Sequence, residues 1–256
     1  MQDTLEKARK AGDEAAAKAF TENILPLFPP VFHEWFLPTF PESTAWPTSR
    51  LTHGRTSAVI STCKTDIVYR LGDRHGENIL VDNNTGDTMH VDFNCLFDKG
   101  KTFEVPERVP FRLTQNIVDG FGVMGVEGVF RNACEVTMQI LRDNKDSLMS
   151  VLEAFVHDPL VEWEDEKKRR ERESRTGRPR SSKRANPAQE IRIPQLKELA
   201  NKSLHPIKRK LMGLQSAKLE KRDKEITTAN QVERLIKEAM SPSNLGSMYV
   251  GWAAWM

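Results

Sequence analysis

The chain has 256 residues, with 38 lysines and arginines against 36 aspartates and glutamates, a formal charge of +2, 38% hydrophobic and 29% charged side chains. That length suits one medium domain, or one domain with tails, and can bury a sizeable core, while a mean hydropathy of -0.54 and a pI near 8.4 mean that part of it is heavily solvated. Collagen-like, mucin-like and fully disordered chains are excluded, and so is a membrane span, since no run of roughly 18 apolar residues occurs.

From the amino terminus, Asp3 to Phe28 is rich in Ala, Glu, Lys and Leu and predicts a helix that stops at Pro29-Pro30. Its opening, MQDTLEKARKAGDE, has no apolar h-region, so secretion is not expected. Pro38, Pro41 and Pro47 predict a loop around several aromatics, and Thr56 to Leu71 carries apolar positions at irregular helical spacing. A hairpin follows, described below. Gly128 to Leu141 and Ser147 to Phe155 predict further helices, the second with Leu148, Val151, Leu152 and Phe155 on one face. Residues 167–184 (KKRRERESRTGRPRSSKR) hold ten basic and two acidic side chains and no aliphatic or aromatic one, the composition of a solvated, disordered linker. Ile193 to Met240 reads as mostly helical with breaks near Pro206 and Thr227, and the end, MYVGWAAWM, is compact and apolar.

Cys63, Cys95 and Cys134 are odd in number and lack metal-type spacing, which predicts reduced thiols in cytosol or nucleus. Gly120-Phe-Gly-Val-Met-Gly125 matches G-x-G-x-x-G but lacks a leading strand, so it reads as a link into the next helix. His33-Glu34 does not continue as a zincin motif, because Leu37 stands where the second histidine is needed.

The chemistry lies in Leu71-Gly-Asp-Arg-His-Gly-Glu-Asn-Ile-Leu-Val-Asp82, the turn Asn83-Asn-Thr-Gly-Asp87, and Met89-His-Val-Asp-Phe-Asn94. Two apolar runs around a Gly/Asn turn signal a hairpin. Pairing residue 78 with 92 and 80 with 90 centres a five-residue turn on Thr85 and sets Asn78 opposite Asp92. Opposed residues hold their β-carbons about 4.5–5.5 Å apart, so an amide oxygen and a carboxylate converge, and such hard oxygens suit magnesium. Asp73 stands five positions before Asn78, the Asp-to-Asn spacing of the protein-kinase catalytic loop, with Asp92-Phe93 as a metal-binding pair downstream. Asp73 is thereby placed to accept a hydroxyl proton.

The order Asp73-Arg74-His75 inverts the His-Arg-Asp of ordinary protein kinases. With Asn78, Ile79 to Asp82 and His90-Val91-Asp92-Phe93, it resembles the G-D-R-H-x-x-N and H-V-D-F signatures of the phosphatidylinositol-3-kinase-related protein kinases. The resemblance continues through Pro110 to Thr114, like the end of that family's activation loop, through Gly125 to Phe130, and through Thr227 to Met256, which is similar to the FATC segment that closes these kinases. Within the family, Val91 to Phe97, Glu104-Val105-Pro106 and His157 to Trp163 look most like the ATR branch of replication-stress checkpoint kinases. Asn94 departs from the glycine that ordinary protein kinases carry after Asp-Phe.

The resemblance implies a mainly α fold with a small β-hairpin (α+β), the carboxy-terminal lobe of a protein-kinase-like fold. It divides the chain into a partial kinase domain at 1–163, with catalytic loop 71–79 and activation loop 92–114, a basic disordered linker at 164–190, a helical segment at 191–226 and FATC at 227–256. It makes Asp73 the catalytic base, His75 a partner of the transferring phosphoryl group, Asn78 and Asp92 the ligands of Mg2+ (with Mn2+ as substitute), and Arg74 structural. It further implies ATP, protein substrates with Ser or Thr before Gln, a nuclear location, DNA contact only through others, no membrane contact, and a helical-repeat scaffold with a recruiting partner in a full-length protein. The apolar end is expected to pack on the lobe beside the activation loop. Only Gly12 and Gly54 precede Gly72, and no strand lysine is legible there, so the amino-terminal lobe is expected to be absent and these residues alone inactive. The alternatives are a non-catalytic interaction module and a lipid-kinase lobe.

Overall fold

The computed structural model describes residues 2–39, 71–82, 88–96, 99–156, 204–214 and 225–256. Most of their regular structure is helical, and their one sheet is a two-stranded antiparallel pair, which is the expected mainly α, α+β architecture. The element expected over 56–71 falls outside the described residues except at Leu71. The turn at 83–87, the stretch 157–163, the basic linker and the start of the 191–226 segment also lie outside.

The stretch expected as one helix over Asp3 to Phe28 is helical as far as Leu27 but is broken once, at Gly12, and tightens in its last turns. Helix α1 (Gln2–Ala11) gives way to α2 (Asp13–Ala19), then to a π turn at Phe20–Ile24 and a 3-10 turn at Leu25–Leu27. Gly12 makes the break at φ 118, a conformation that a side chain would strain. Pro38, expected in a loop, falls in the last turn of α3 (Phe32–Thr39). The His33 ring nitrogen meets Asp119 at 2.7 Å, and the Val31 N–H donates to Asn116 at 2.8 Å. Both contacts tie the start of α3 to α4 (Gln115–Gly120).

Three apolar clusters hold the elements together. Phe130, Cys134 and Met138 recur every four residues along α5 (Val129–Asp143) and meet Val232, Leu235, Ile236 and Ala239 of α8 (Thr228–Ala239). Phe121 stacks on Phe130 at 4.7 Å, closing that core beneath Phe111 and Leu113. In α6 (Lys145–Val156), Met149 and Leu152 pack on Leu204, Ile207 and Leu211 of helical residues 204–211, here α7. Val151 was expected on that buried face but is 62% exposed, because the face runs through 148, 149 and 152. Pro206 lies in the first described turn of α7, where proline is tolerated, and residues 191–203 ahead of it lie outside the described residues. The break comes at Gly213, φ 71, after which a bridge between Leu214 and Glu225 brings the chain to Thr227. Thr227 Oγ1 accepts the Asn230 N–H at 3.2 Å and caps α8 where a break was expected.

The third cluster joins the two ends of the described chain. Leu5, Phe20 and Ile24 pack against Leu245, Met248, Trp252 and Trp255, with α9 (Pro242–Gly246) lying on α2. Gly246 permits that approach, since a β-carbon there would lie 2.6 Å from the Ala16 carbonyl oxygen. Trp252 and Trp255 are buried, in keeping with the expected packing of the tail on the lobe. No described helix is long and apolar enough to cross a membrane. Of the three cysteines expected as reduced thiols, Cys95 is free and buried, Cys134 is buried within the first cluster, and Cys63 lies outside the described residues.

Candidate active site

The site is built where the segment 71–78 is laced to the described residues of 91–96 and 99–107 beside strands β1 (Ile79–Val81) and β2 (Thr88–His90). The strand register differs from expectation by one residue: Ile79 pairs with His90, Leu80 with Met89 and Val81 with Thr88. Asn78 therefore does not face Asp92. Its carbonyl accepts the Val91 N–H at 3.1 Å, and Asp92 lies two residues beyond His90, where the ladder ends. A one-residue slip would send a strand side chain to the opposite face, but Asp92 is no longer extended. It has φ 57, a left-handed conformation that redirects its side chain.

Arg74 is the staple. It is 2% exposed, and its guanidinium donates to the carbonyls of Gly72 (2.9 Å), Asn78 (3.4 Å), Val91 (2.8 Å) and Asp92 (2.5 Å). One buried side chain thus fixes the backbone of the loop carrying Asp73 and Asn78 against the backbone carrying Asp92. Asp73 is also left-handed, at φ 60. Both of its peptide groups are held: its N–H donates to Glu107 Oε1 at 2.8 Å and its carbonyl accepts from Asn78 Nδ2 at 2.9 Å. The Asp73 carboxylate is left partly exposed, with His75 Nε2 3.9 Å from Oδ1.

Among the four expected site residues, then, Asp73 and His75 adjoin, and Asn78 and Asp92 are joined to that pair through Arg74 and the Asn78 amide. The Asn78 Nδ2 hydrogen bond orients the amide and leaves Oδ1 as its acceptor atom. Asp92 Oδ1 accepts the Asn94 N–H at 3.0 Å, an Asx turn, which leaves Oδ2. Two hard oxygens fit a divalent cation of the kind that also takes water and phosphate oxygens. No group of three His, Cys, Asp or Glu side chains able to hold a metal occurs among the described residues.

Glu107 was not among the expected site residues. Burial pushes its pKa up, with the Asp73 N–H hydrogen bond acting in the opposite direction. Trp252 Nε1 is buried close to this carboxylate without meeting hydrogen-bond geometry. Cys95, on the same side, has its thiol pushed up to about 12 by burial and then by the neighbouring Glu107 and Asp73 charges, so it is inert. His90 is buried with Nδ1 unpartnered among the described residues, and burial followed by the Arg74 charge lowers its pKa to about 4. The ring is therefore neutral.

Arg112 was also missed. Its guanidinium donates to the carbonyls of Arg74 (3.3 Å), Trp252 (2.6 Å), Ala253 (2.8 Å) and Met256 (3.1 Å), and lies 4.5 Å from the Trp252 ring centroid. Burial lowers its pKa to about 10, which leaves it charged at neutral pH. The available signal for Glu107 was an acidic residue flanked by Pro106 and Pro110; for Arg112 it was a lone cation within the apolar run Val109 to Leu113.

The family description "Phosphatidylinositol 3- and 4-kinase" matches residues 2–165, and the description "FATC domain" matches residues 225–256. Protein kinase rad3 of Schizosaccharomyces pombe is 49% identical over 236 residues, covering 92% of this chain and 9% of that protein. The serine/threonine-protein kinase ATR of Arabidopsis thaliana is 42% identical, covering 99% of this chain and 8% of its own length. A solved structure titled "FAT and kinase domain of CtTel1" superposes with a TM-score of 0.74 at 30% identity, covering 99% of this chain and 15% of that one. The chain spans less than a tenth of the length of these two curated relatives.

Proposed function

The chain belongs to the phosphatidylinositol 3- and 4-kinase family and ends in a FATC segment, and from that premise we propose that it is the catalytic lobe of an ATR-type serine/threonine protein kinase. The observation that carries this reading is the joining of Asp73, Asn78 and Asp92 by Arg74, with both aspartates in the left-handed conformation. Backbone strain of that kind concentrates at functional sites. Asp73 acts as general base, taking the proton of a substrate hydroxyl on its exposed carboxylate. His75, beside it, donates to the transferring phosphoryl group of ATP.

Asn78 Oδ1 and Asp92 Oδ2 hold a divalent cation, magnesium or manganese, which when bound neutralises phosphate charge. Phosphoryl transfer depends on positioning and charge neutralisation, and the lacing by Arg74 supplies the positioning. The names of the relatives support protein substrates over lipids. The reading extends to Ser or Thr followed by Gln as the target, to checkpoint signalling in the nucleus, and to a helical-repeat scaffold with a recruiting partner as the setting.

The test is radiolabelled phosphate transfer from ATP to a Ser-Gln peptide by the native polypeptide that carries these residues. Asp73→Asn keeps a side chain that tolerates the left-handed backbone and should lower transfer by about 100- to 10,000-fold. Transfer within a factor of about two of the unaltered protein would refute the role of base, being far below any general-base contribution. The 256 residues alone, with no legible glycine-rich loop or strand lysine ahead of Gly72, should turn over little.

A further inference from the structure

We propose that Glu107 is a positioning residue for phosphoryl transfer, holding Asp73 in its productive left-handed conformation through the Asp73 N–H. The proposal rests on the reading of Asp73 as the base.

Glu107 forms no ion pair among the described residues, and burying a carboxylate without one is unfavourable unless it is hydrogen-bonded. Its one hydrogen bond from another residue's backbone comes from Asp73. The surroundings are shaped to admit it. A β-carbon on Gly72 or on Gly100 would overlap the Glu107 carboxylate, so each glycine leaves space that the carboxylate fills. Two further backbone bonds complete the frame: the Glu107 N–H donates to the Gly100 carbonyl at 3.0 Å, and the Gly72 N–H to the Cys95 carbonyl at 2.7 Å.

The consecutive amides of Gly72 and Asp73 are thus both satisfied by the segment that follows the hairpin, one by Cys95 and one by Glu107. A left-handed non-glycine residue is disfavoured, less so for aspartate than for most side chains, and it persists where its surroundings hold it. Without Glu107, the peptide before Asp73 would be held only from its carbonyl side, by Arg74, and the peptide after it by Asn78, leaving the Asp73 N–H without a partner to fix its direction. The Asp73 carboxylate would then swing away from its place beside His75.

The experiment compares kcat and KM of Glu107→Ala, Glu107→Gln, Gly100→Ala and Asp73→Asn in the native polypeptide. Glu107→Ala should lower kcat by about 10- to 100-fold, as expected for a misplaced catalytic group, with the KM values for ATP and peptide little changed. Glu107→Gln keeps an acceptor oxygen at the same reach and should recover most of that loss. Gly100→Ala, which displaces the carboxylate while leaving it in the chain, should reproduce the alanine phenotype and serves where Glu107→Ala does not fold. An unchanged kcat in Glu107→Ala and Gly100→Ala overturns the proposal, as does a defect confined to the peptide KM, or a glutamine variant as impaired as the alanine one. If Asp73→Asn itself keeps full kcat, the base reading fails instead, whatever the Glu107 variants show.

Discussion

Asp73 and Asp92 sit at φ 60 and φ 57, and among the described residues Ala253 is the only other non-glycine with positive φ. All three surround the two buried arginines: Arg74 donates to the Asp92 carbonyl, Arg112 to the Ala253 carbonyl, and Arg112 also to the carbonyl of Arg74, which follows Asp73. Charge-assisted bonds to backbone carbonyls offset the strain, since bonds to charged groups contribute about 1.5–3 kcal/mol each. His90 gives this region a pH signature. Its pKa falls from 6.5 to about 4 on folding, so between those values the unfolded chain binds more protons than the folded one. Its contribution to stability is complete above pH 6.5 and is lost as the pH falls toward 4. After allowance for the solvent that still reaches the ring, the loss is roughly 1–2 kcal/mol. Urea titrations at stepped pH should show that decline, and His90→Phe should flatten it; an identical slope in the variant would assign the acid sensitivity elsewhere. At this scale the sequence was legible for residues that a spacing rule names, Asp73 and Asn78 above all. It was silent on Glu107 and Arg112, whose roles depend on burial and on partners such as Trp252 that are far away in the chain.

The hairpin existed where the Gly/Asn turn placed it, but its register was off by one. Residue spacing alone cannot distinguish an extended Asp92 facing Asn78 from a left-handed Asp92 that begins after the ladder ends at His90. Helices were read well where an apolar stripe was long, as in α5, and less well where a single residue decided the outcome. Gly12 broke the helix expected to run on to Phe28. The contact between α2 and α9 gives a direct stability test at this scale. Gly246→Ala would place a methyl 2.6 Å from a backbone oxygen and 2.9 Å from the Phe20 β-carbon, neither of which can swing aside. Thermal or denaturant unfolding should show a loss of about 1–3 kcal/mol, the range for overpacking. A neutral or stabilising result would mean that the two helices separate readily.

In the whole molecule, the terminal segment is part of the framework of the site. Trp252 and Trp255 are buried with Phe20 and Ile24 from the opposite end of the chain, and Arg112 joins the backbone of 252–256 to the loop that carries Asp73 and Asn78. The sequence showed that an apolar tail would pack, and its resemblance to FATC pointed to the neighbourhood of the activation loop. The arginine that makes the connection could not be identified, because one cation in an apolar run has many uses. The proposed chemistry requires Asn78 and Asp92 to act as cation ligands beside a base that is not one. Manganese paramagnetic resonance in the presence of ATP, on the native polypeptide, separates those roles. Asn78→Ala and Asp92→Ala should each weaken retention of the bound ion by at least about tenfold, while Asp73→Asn should retain it and still transfer phosphate about 100- to 10,000-fold more slowly. Undiminished manganese binding in both ligand variants would contradict the account.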